Sequence, residues 1–393
     1  MSIKRILWTL AVVSAVLPAL LWWQSVKFPF TIKPVADKTF SKLLANDDQT
    51  FSKLLSKDDK AFTRVLKPRK FSFPRDHGAH GSYRTEWWYF TGNLKNPFDR
   101  KFGYQLTFFR FALAADTPAS ASSWRNNQIY MAHLTLTDVK SDRFYSDERY
   151  SRAGNGLAGA ADNKYQVWLH DWSAAAVDDA DFPMRLQAKS GQFAIDLLLQ
   201  SQKKRVLQGN QGLSQKSDEP GNASYYYSYT RLATEGNLSI GGDKFTVVGD
   251  SWMDREWSTS ALSDDQIGWD WFALQFSDNT EVMFYQLRRK DGQPDSHSSG
   301  AVFLSNNRKI PLKVQDVSIK VLDTWKSPHS KAVYPSMWHL SIPAQHLEVD
   351  IVPLINDQEL NLTYRYWEGA VSINGLKNGK LISGQGYVEL TGY

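Results

Sequence analysis

From residue 71 onward, apolar and polar residues alternate in short runs separated by turn residues, which is the pattern of β-strands. Examples are KFGYQLTFFRFAL (101–113) and WDWFALQFSDNTEVMFYQL (269–287). No long helical periodicity follows residue 70. The runs form two comparable stretches, so we predict an all-β fold with two tandem β-barrel or sandwich domains. The segment LATEGNLSIGGDK, residues 232–244, is the predicted junction.

The start of the chain has the order of an export signal, because Lys4 and Arg5 precede an apolar run over residues 6–23. This run just reaches the length of a membrane-spanning helix. It ends in Trp22 and Trp23, which suit a membrane interface, and not in a small-residue cleavage site. We therefore favour an uncleaved membrane anchor over a cleaved signal, and either alternative exports the rest of the chain.

An 11-residue repeat follows, in which TFSKLL occurs twice and AFTRVL once within residues 39–66. Eleven residues fill three helical turns, which places Phe40, Phe51 and Phe62 on one face of a helix. We predict an amphipathic helical linker that packs on the folded domain or spaces it from the membrane. A membrane-surface helix or a partner-binding helix is the alternative, and the mixed charges of the polar face disfavour it.

These patterns divide the chain into four predicted segments. They are a signal anchor or signal peptide (1–30), the helical linker (31–67), an N-terminal β domain (68–238) and a C-terminal β domain (239–393). In this order, the N-terminal membrane helix and the amphipathic linker precede both β domains.

Composition narrows the function classes. Aromatic residues make up 13% of the chain, with 15 tryptophans, which suits β-sheets and ligand cavities. The absence of cysteine removes disulfides, thiolate nucleophiles, zinc–thiolate sites and iron–sulfur clusters. The net charge of +5 divides into +9 for residues 1–75 and −4 for residues 76–393. Because the folded part is not basic, we expect no nucleic-acid binding.

The first candidate site is the stretch DHGAHGSYRTEWWYFTGNL, residues 76–94. In a strand, Glu86 and Trp88 point to the same face. His77 and His80 lie in the glycine-rich approach, where loops position functional side chains. The two histidines could bind a metal with Glu86, or could bond to backbone and carboxylates. Loop spacing is weak evidence for a metal site, so we expect none.

The second candidate site combines GDSWMDREWS (249–258) with GWDWF (268–272), where acids alternate with indoles. A carboxyl group packed against indoles has a raised pKa and can serve as a general acid. The candidate catalytic acids are Asp254, Glu256 and Asp270. Alternatively, Arg255 could pair with one or two of these acids and clamp a corner of the fold.

The remaining motifs give little further information about function. The chain has no Gly-x-Ser-x-Gly, Walker or dinucleotide-binding motif. The strand GNASYYYSYTRL (221–232) places Tyr225, Tyr227 and Tyr229 on one face and Tyr226 on the other. For these tyrosines we favour a cross-strand aromatic ladder over a phenol-lined pocket.

Several stretches together resemble the exported lipocalin-like proteins of the carotenoid 1,2-hydratase superfamily, in the branch often labelled predicted secreted hydrolases. They are DHGAHGSYRTEWWYFTGNL, GNASYYYSYTRL, GDSWMDREWS, YWEGAV and GQGYVELTGY. The resemblance runs from about residue 68 to residue 393 and implies two lipocalin-like β domains with a site near their interface. It also implies a periplasmic location of the Gram-negative type, and fungal cyclases of the Diels–Alder type look like distant relatives.

The resemblance also indicates which residue could act as the catalytic acid. The carotenoid hydratases look like they carry an Asp-His-Asn-Trp motif in the second domain, and the corresponding residues here are Asp254, Arg255, Glu256 and Trp257. An arginine cannot donate a proton near neutral pH, so Asp254 or Glu256 would have to serve as the acid.

We predict an exported, membrane-tethered protein that binds a hydrophobic, isoprenoid- or lipid-like small molecule at the interface of its β domains. One alternative is a hydratase, isomerase or cyclase that uses a carboxylic acid and an aromatic shelter for a cation. Another is an accessory subunit of an export or transport complex. The residues expected to bind the ligand are His77, His80, Glu86, Trp88, Arg255, Trp257, Trp269, Trp271 and Tyr285.

The remaining expectations concern partners and location. We expect no cofactor. The expected partners are the hydrophobic small molecule, the inner membrane through the N-terminal helix, and a protein of a membrane complex. The expected location is the periplasmic face of the inner membrane, or the periplasm itself if the signal is cleaved.

Overall fold

The computed structural model describes residues 61–115, 122, 126–260 and 262–393. All of them belong to one compact unit, Asp48–Tyr393. The predicted signal anchor and the first two copies of the 11-residue repeat lie outside the described residues. Among the residues that are described, no helix is long and apolar enough to cross a membrane.

The first sheet is formed by thirteen strands of the described chain. They are β1 (Thr85–Lys95), β2 (Lys101–Ala112), β3 (Gln128–Asp138), β4 (Arg143–Arg152), β5 (Ala158–Ala160), β6 (Gln166–Leu169), β7 (Trp172–Ala176), β8 (Met184–Lys189), β9 (Phe193–Ser201), β10 (Val206–Leu207), β11 (Leu213–Gln215), β12 (Ala223–Ile240) and β13 (Asp243–Ser258). Their order is β4-β3-β2-β1-β13-β12-β9-β8-β7-β6-β5, with β10 and β11 also paired to β12.

The second sheet is formed by the ten strands that follow. They are β14 (Gln266–Phe276), β15 (Glu281–Arg289), β16 (Ser299–Phe303), β17 (Lys309–Lys313), β18 (Ser318–Lys326), β19 (Val333–Ile342), β20 (Leu347–Pro353), β21 (Glu359–Asn361), β22 (Arg365–Lys377) and β23 (Lys380–Leu390). Their order is β17-β16-β15-β14-β23-β22-β20-β19-β18, with β21 paired to β22. The described helices are short 3-10 turns at Arg75–His77, Val139–Ser141, Gly154–Gly156, Val314–Asp316 and Pro343–Gln345.

Burial along the strands shows where the two sheets meet. Strands β8 and β9 alternate buried and more exposed positions, as strands do when one face covers a core and the other meets solvent. Strands β1, β2 and β3 are instead buried at almost every position. The second sheet covers their outer face, where the amide of Asn93 on β1 donates to the carbonyl of Gly386 on β23 at 2.9 Å. A packed interface between the sheets is the result.

The apolar core is divided into three clusters. One lies inside the first sheet and includes Trp88 and Trp257. Another lies inside the second sheet and includes Phe272 and Trp338. The third lies between the sheets and includes Tyr89, Tyr226, Trp252, Trp271, Tyr285 and Tyr387. Each sheet curls around its own core, which confirms the predicted all-β fold and is consistent with two tandem lipocalin-like domains.

The sheets approach each other closely at Gly103 on β2. A Cβ atom at Gly103 would lie only 2.5 Å from the Cβ atom of Ala370 on β22. Real Cβ atoms do not come this close, so the absence of a side chain at Gly103 permits the observed packing.

The predicted domain boundary at 238/239 requires a correction. Residues 232–244 form the end of β12, a turn at Gly241 and Gly242, and the start of β13, and these two strands pair as a hairpin of the first sheet. Both glycines have positive φ, at 59° and 100°, as a tight hairpin turn requires. The chain passes to the second sheet only after Ser258. A two-glycine turn has the composition of a linker, which explains the error.

The helix predicted for the third repeat copy is also wrong over residues 61–66. This segment forms a turn and then irregular chain. Phe62 and Val65 are buried, and Val65 belongs to the core of the first sheet. The amide of Thr63 donates to the carbonyl of Ser82 at 2.9 Å. Burial of these two apolar residues outweighs the local helical periodicity.

Candidate functional site

A pocket lies between the two sheets, which we call the intersheet pocket. Its empty space measures about 680 Å³ when the open mouth is counted. Its walls are formed by Trp87, Tyr89, Thr107, Phe109, Lys216, Tyr226, Asp254, Glu256, Leu262, Trp269, Trp271, Tyr285, Leu287 and Glu389. Half of these residues are aromatic, and the wall also carries three carboxyl groups and one ammonium group.

The alternation of side chains in two adjacent strands decides which residues reach this pocket. On β13, Asp254 and Glu256 point towards the second sheet and line the pocket. Arg255 and Trp257 point the other way, into the first sheet. On β1, which pairs with β13, Trp87 likewise lies on the pocket side. One face of this strand pair thus lines the pocket, and the other face packs in the core of the first sheet.

Asp254 is buried, and its carboxyl group accepts three hydrogen bonds from side chains. The hydroxyl of Tyr226 donates to Oδ2 at 2.5 Å, the indole of Trp252 donates to Oδ1 at 2.7 Å, and the hydroxyl of Ser228 also donates to Oδ1. Burial raises the pKa of Asp254 to about 7, although the three hydrogen bonds act in the opposite direction. A large fraction of the molecules therefore carries a proton on Asp254 at neutral pH.

Tyr226 connects this carboxyl group to the pocket wall. Its hydroxyl oxygen accepts a hydrogen bond from the indole of Trp271 at 3.3 Å. When Asp254 is protonated, the carboxyl group can donate to the same oxygen, which frees the Tyr226 proton to point into the pocket. This geometry allows a proton to move from Asp254 to the pocket through the hydroxyl of Tyr226.

Glu256 forms the only ion pair seen among the residues that line the described pocket. The ammonium group of Lys216 lies 3.2 Å from Oε1 of Glu256, and the hydroxyl of Ser224 donates to the same oxygen. Lys216 also lies 3.9 Å from the centre of the Tyr285 ring. Burial opposes the charge on Lys216, but Glu256 and Tyr285 outweigh it, so the pKa of Lys216 is raised. The pair adds no net charge to the pocket.

Glu389 on β23 supplies the third carboxyl group of the pocket. The indole of Trp269 donates to its Oε1 at 2.7 Å. Burial raises the pKa of Glu389 to about 7. Directly opposite on β22 lies Glu368, which is fully buried and accepts a hydrogen bond from the hydroxyl of Tyr89 at 2.5 Å. Burial, together with the charge of Glu389, holds the pKa of Glu368 well above its usual range.

An aromatic pocket with protonated carboxyl groups can protonate an apolar molecule. The aromatic faces attract a cation that forms there. The described residues contain no group of three His, Cys, Asp or Glu side chains that could hold a metal ion.

A family model described as AttH-like matches residues 64–393 of the chain. The crystal structure of a putative AttH from Nitrosomonas europaea has the same fold, with a TM-score of 0.75 and 32% sequence identity over 84% of this chain and 99% of that one. The chain belongs to the AttH-like family.

Two further solved structures share the fold of this AttH-like chain. Kievitone hydratase from Nectria haematococca has a TM-score of 0.62 at 15% identity, covering 86% of this chain and 95% of that one. The protein CghA, solved with Sch210972, has a TM-score of 0.50 at 12% identity, covering 84% and 96%. No curated protein matches the chain. These findings are consistent with the predicted relation to the lipocalin-like proteins of the carotenoid 1,2-hydratase superfamily.

Some of the predicted site residues of this AttH-like chain meet in the intersheet pocket. They are Asp254, Glu256, Trp269, Trp271 and Tyr285. The motif that contains Asp254 was expected in the second domain, but β13 belongs to the first sheet. The pocket takes Asp254 and Glu256 from the first sheet and the two indoles from β14 of the second. This arrangement explains why the site lies between the domains.

The other predicted ligand-binding residues lie inside the first sheet, on the opposite face of β1 and β13 or in the approach to β1. They are His77, His80, Glu86, Trp88, Arg255 and Trp257. The expectation that they face the interface is therefore corrected. The alternation of the strands separates them from the pocket even though several are sequence neighbours of Asp254 or Trp87.

Glu86 is the centre of a structural cluster. It is fully buried and forms ion pairs with Arg110 and Arg255, and it accepts a hydrogen bond from the backbone of His80 at 2.9 Å. Burial would raise its pKa, but the two guanidinium groups outweigh burial and hold the pKa of Glu86 well below its usual range. His80 also stacks on Trp257, with the ring centres 3.9 Å apart. The alternative pairing of Arg255 with Asp254 or Glu256 is therefore wrong.

His77 has a similar structural environment. Its Nδ1 atom lies 2.6 Å from the hydroxyl of Tyr227, and its Nε2 atom lies 2.9 Å from Asp181. Burial lowers the pKa of His77. The predicted aromatic ladder of Tyr225, Tyr227 and Tyr229 does lie on this inner side of β12, in the core of the first sheet.

Asp270 lies on β14 between Trp269 and Trp271, and its side chain points away from the pocket. Arg288 donates to its Oδ1 at 2.9 Å, and so does the hydroxyl of Tyr393. Burial raises the pKa of Asp270. Because its neighbours are these two side chains and not a pocket wall, Asp270 is corrected from a candidate acid to a structural residue.

The sequence prediction missed several residues of the site. They are Trp87, Tyr89, Lys216, Tyr226, Glu368 and Glu389. Tyr226 could have been predicted from the sequence, because strand alternation places it on the opposite face from Tyr225, Tyr227 and Tyr229. Lys216, in the loop before β12, and Glu389, near the C-terminus, have no local pattern that marks them, since only the fold brings them to Asp254.

Proposed function

We propose that this chain binds an uncharged, hydrophobic, unsaturated small molecule in the intersheet pocket and catalyses its acid-dependent hydration. The single observation that carries the proposal is the buried carboxyl group of Asp254, with its pKa near 7, on a wall of aromatic rings. A general acid works best when its pKa lies near the operating pH.

The proposed reaction begins with the proton of Asp254. It passes through the hydroxyl of Tyr226 to one carbon of the substrate double bond, and the other carbon becomes a cation. The rings of Trp87, Trp269 and Trp271 surround the space in which this cation forms and attract it through their π faces. A water molecule then adds to the cation. General acid catalysis of this kind typically contributes about 100- to 10,000-fold to the rate.

The solved relatives support this proposal at the level of the fold. One of them is named a hydratase, and another was solved with the compound Sch210972. Because their identities to this chain are 15% and 12%, the assignment of Asp254 rests on the geometry of this chain.

The proposal can be tested with a prenyl-substituted phenol, which carries an electron-rich double bond. The full-length chain is incubated with it in D₂O enriched in ¹⁸O, and the products are analysed by mass spectrometry. We expect deuterium on carbon and ¹⁸O in a new hydroxyl group, and loss of both in Asp254→Asn. The matched control Asp270→Asn, which changes a buried aspartate outside the pocket, should retain both.

Two outcomes would count against a hydratase. Equal incorporation of isotopes by the wild type and Asp254→Asn would remove Asp254 from the mechanism. Tight binding of the phenol with no isotope incorporated would overturn the proposal and favour a carrier.

We also propose that residues 6–23 tether the chain to the inner membrane on its periplasmic side. The order of basic, apolar and tryptophan residues supports this location. The mature protein should fractionate with membranes and begin at Met1. A mature chain that begins near Gln24 and is recovered in the soluble periplasmic fraction would contradict the tether.

A further inference from the structure

The proposed acid leaves one feature of the pocket unused, which is the pair formed by Glu368 and Glu389. These residues lie directly opposite each other on β22 and β23. Side chains at such positions have Cβ atoms about 4.5–5.5 Å apart, so the two carboxyl groups are in each other's immediate environment. Glu368 is fully buried, whereas Glu389 keeps part of its surface open to the pocket.

The hydrogen bonds to this pair come from the pocket wall itself. Tyr89 donates to Glu368, and Trp269 donates to Glu389. Both aromatic residues line the pocket, so they fix the orientation of the two carboxyl groups relative to a bound molecule. The pair is thus built into the site on the side opposite to the Asp254 strand.

Two adjacent buried carboxyl groups cannot both be ionised without a large cost, because each charge disfavours the other. Burial and the charge of Glu389 raise the pKa of Glu368. Burial and the charges of Glu256 and Asp254 raise the pKa of Glu389, whereas its hydrogen bond with Glu368 lowers it. The pair therefore retains one proton and a single negative charge, as carboxyl dyads do.

We infer that the Glu368–Glu389 pair is the base of the intersheet pocket and that Glu389 accepts the proton of the water that attacks the substrate cation. This inference rests on the proposed function. Glu389 is the catalytic residue, because it reaches the pocket. Glu368 is a positioning residue that acts through Glu389.

The reaction balances with this assignment. The proton from Asp254 forms a C–H bond, and the double bond becomes a cation on the neighbouring carbon. The water oxygen forms a C–O bond to that carbon, and one water proton moves to Glu389. The pair then holds two protons and Asp254 holds none. Release of one proton from the pair to solvent, and uptake of one by Asp254, restores the starting state.

The other carboxyl groups of the pocket are less suited to this role. Asp254 is the acid and starts the reaction protonated. Glu256 is held by Lys216 at 3.2 Å and by Ser224, so its charge is already neutralised by a cation. Glu389 is the remaining carboxyl group of the pocket wall.

The first test needs no substrate. Infrared difference spectroscopy at pH 8 compares full-length Asp254→Asn with the double variant Asp254→Asn/Glu368→Gln. The first protein should show one protonated carboxyl group more than the second, because Glu368 holds the proton of the pair and Glu389 is the ionised partner. Equal carboxyl signals in the two proteins would show that no proton is shared and would overturn the inference.

The second test separates the two steps with the prenyl-substituted phenol in D₂O enriched in ¹⁸O. In Glu389→Gln, ¹⁸O incorporation should fall by about 100-fold or more, whereas deuterium should still enter the recovered alkene. Asp254 delivers a deuteron and takes back a proton from the same carbon, so exchange requires no second base. In Glu368→Gln, the pH optimum of ¹⁸O incorporation should move to higher pH, because an amide donates more weakly than the carboxylic acid whose hydrogen bond lowers the pKa of Glu389.

Glu359→Gln is the matched control, because Glu359 is a buried glutamate of the second sheet that bonds to Ser327 and Tyr334 outside the pocket. It should leave both isotopes unchanged. Parallel loss of ¹⁸O and deuterium in Glu389→Gln would show that Glu389 only shapes the pocket and would overturn the inference. Deuterium exchange that survives in Asp254→Asn would instead overturn the proposed function.

Discussion

The hydroxyl of Tyr226 lies 2.5 Å from Oδ2 of Asp254, and both residues line the intersheet pocket. They sit on neighbouring strands, β12 and β13, which keep their spacing fixed by backbone pairing. Trp271 of the second sheet donates to the same Tyr226 hydroxyl, so the relay depends on both sheets. The chemistry of Asp254 is thus tied to the packing of the two domains.

Tyr226→Phe should change the pH dependence of the reaction in a defined direction. The Tyr226 hydrogen bond stabilises the ionised form of Asp254, so its loss should raise the pKa of Asp254 further above about 7. The acid is active when protonated, and the alkaline limb of the pH–rate profile should therefore move to higher pH. The maximal rate should fall because the relay is broken. Deuterium incorporation into the phenol, measured as a function of pH, reports both effects.

Tyr227→Phe provides the control for this prediction. Tyr227 is the next residue in β12, but it points into the first sheet and bonds to His77. The alkaline limb should stay in place in this variant. An identical shift in both variants would mean that general loosening of β12, and not the bond to Asp254, sets the limb.

Asp254 should destabilise the fold at alkaline pH. Its pKa is raised from 3.8 in the unfolded chain to about 7 in the folded one. Protonated Asp254 stabilises the fold fully below pH 3.8, the pKa in the unfolded chain. This stabilisation is lost as the pH rises through about 7, the pKa in the folded chain. A difference of this size corresponds to roughly 4 kcal/mol once the pH exceeds both values. Asp254→Asn removes this titration.

The measurement is chemical denaturation of the wild type and Asp254→Asn at pH 5 and pH 8. The variant should gain stability relative to the wild type on going from pH 5 to pH 8. Glu389 contributes in the same direction in both proteins, but less in the variant, because the Asp254 charge that raises the pKa of Glu389 is gone. This change has the same sign as the predicted gain in stability. A stability difference that does not depend on pH would contradict a raised pKa of Asp254 in the folded state.

The alternation of residues predicted the all-β fold, and it also predicted that neighbours such as Glu86 and Trp87 point to opposite faces. It did not predict which face meets the second sheet, because both faces are aromatic and buried. The choice depends on packing between elements that are far apart in the sequence. Glu389, more than a hundred residues after Asp254, reaches the same pocket only because β23 pairs with β14.

Asp254 and Asp270 also show that the sequence does not predict which face of a strand reaches the pocket. Asp254 and Asp270 both lie among tryptophans in the sequence and both have raised pKa values in the fold. Asp270 nevertheless bonds to Arg288 on the far side of β14. The local sequence predicts that a carboxyl group is packed against indoles, whereas its access to a ligand depends on the strand register.

Glu86→Gln should destabilise the fold without removing the site. The substitution leaves Arg110 and Arg255, which are both fully buried, without their shared carboxylate. Breaking a buried ion pair in this way costs about 3–5 kcal/mol. The free energy of unfolding should fall by that amount, while the folded protein should still bind the phenol.

Asp99→Asn is the matched control, because Asp99 forms an exposed ion pair with Lys95. Its loss should change the free energy of unfolding by less than about 1 kcal/mol. If Glu86→Gln kept full stability and lost binding of the phenol, Glu86 would belong to the binding site after all.

Gly103→Ala should weaken the contact between the sheets. The new Cβ atom would lie 2.5 Å from the Cβ atom of Ala370, so the sheets would have to move apart. Overpacking of this kind costs about 1–3 kcal/mol. Because Asp254 and Trp271 reach the pocket from opposite sheets, binding of the phenol should weaken as well. Gly191→Ala, where a Cβ atom meets nothing within 4 Å, should change neither quantity.

A compensating substitution tests whether the contact between positions 103 and 370 causes these losses. Ala370→Gly removes the atom that the new side chain would meet, so the double variant Gly103→Ala/Ala370→Gly should recover part of the lost stability and binding. The double-mutant cycle of unfolding free energies measures this coupling directly. If the losses in unfolding free energy are additive, the side chains at positions 103 and 370 do not contact each other. The close approach of β2 and β22 would then not account for the weaker binding of the phenol.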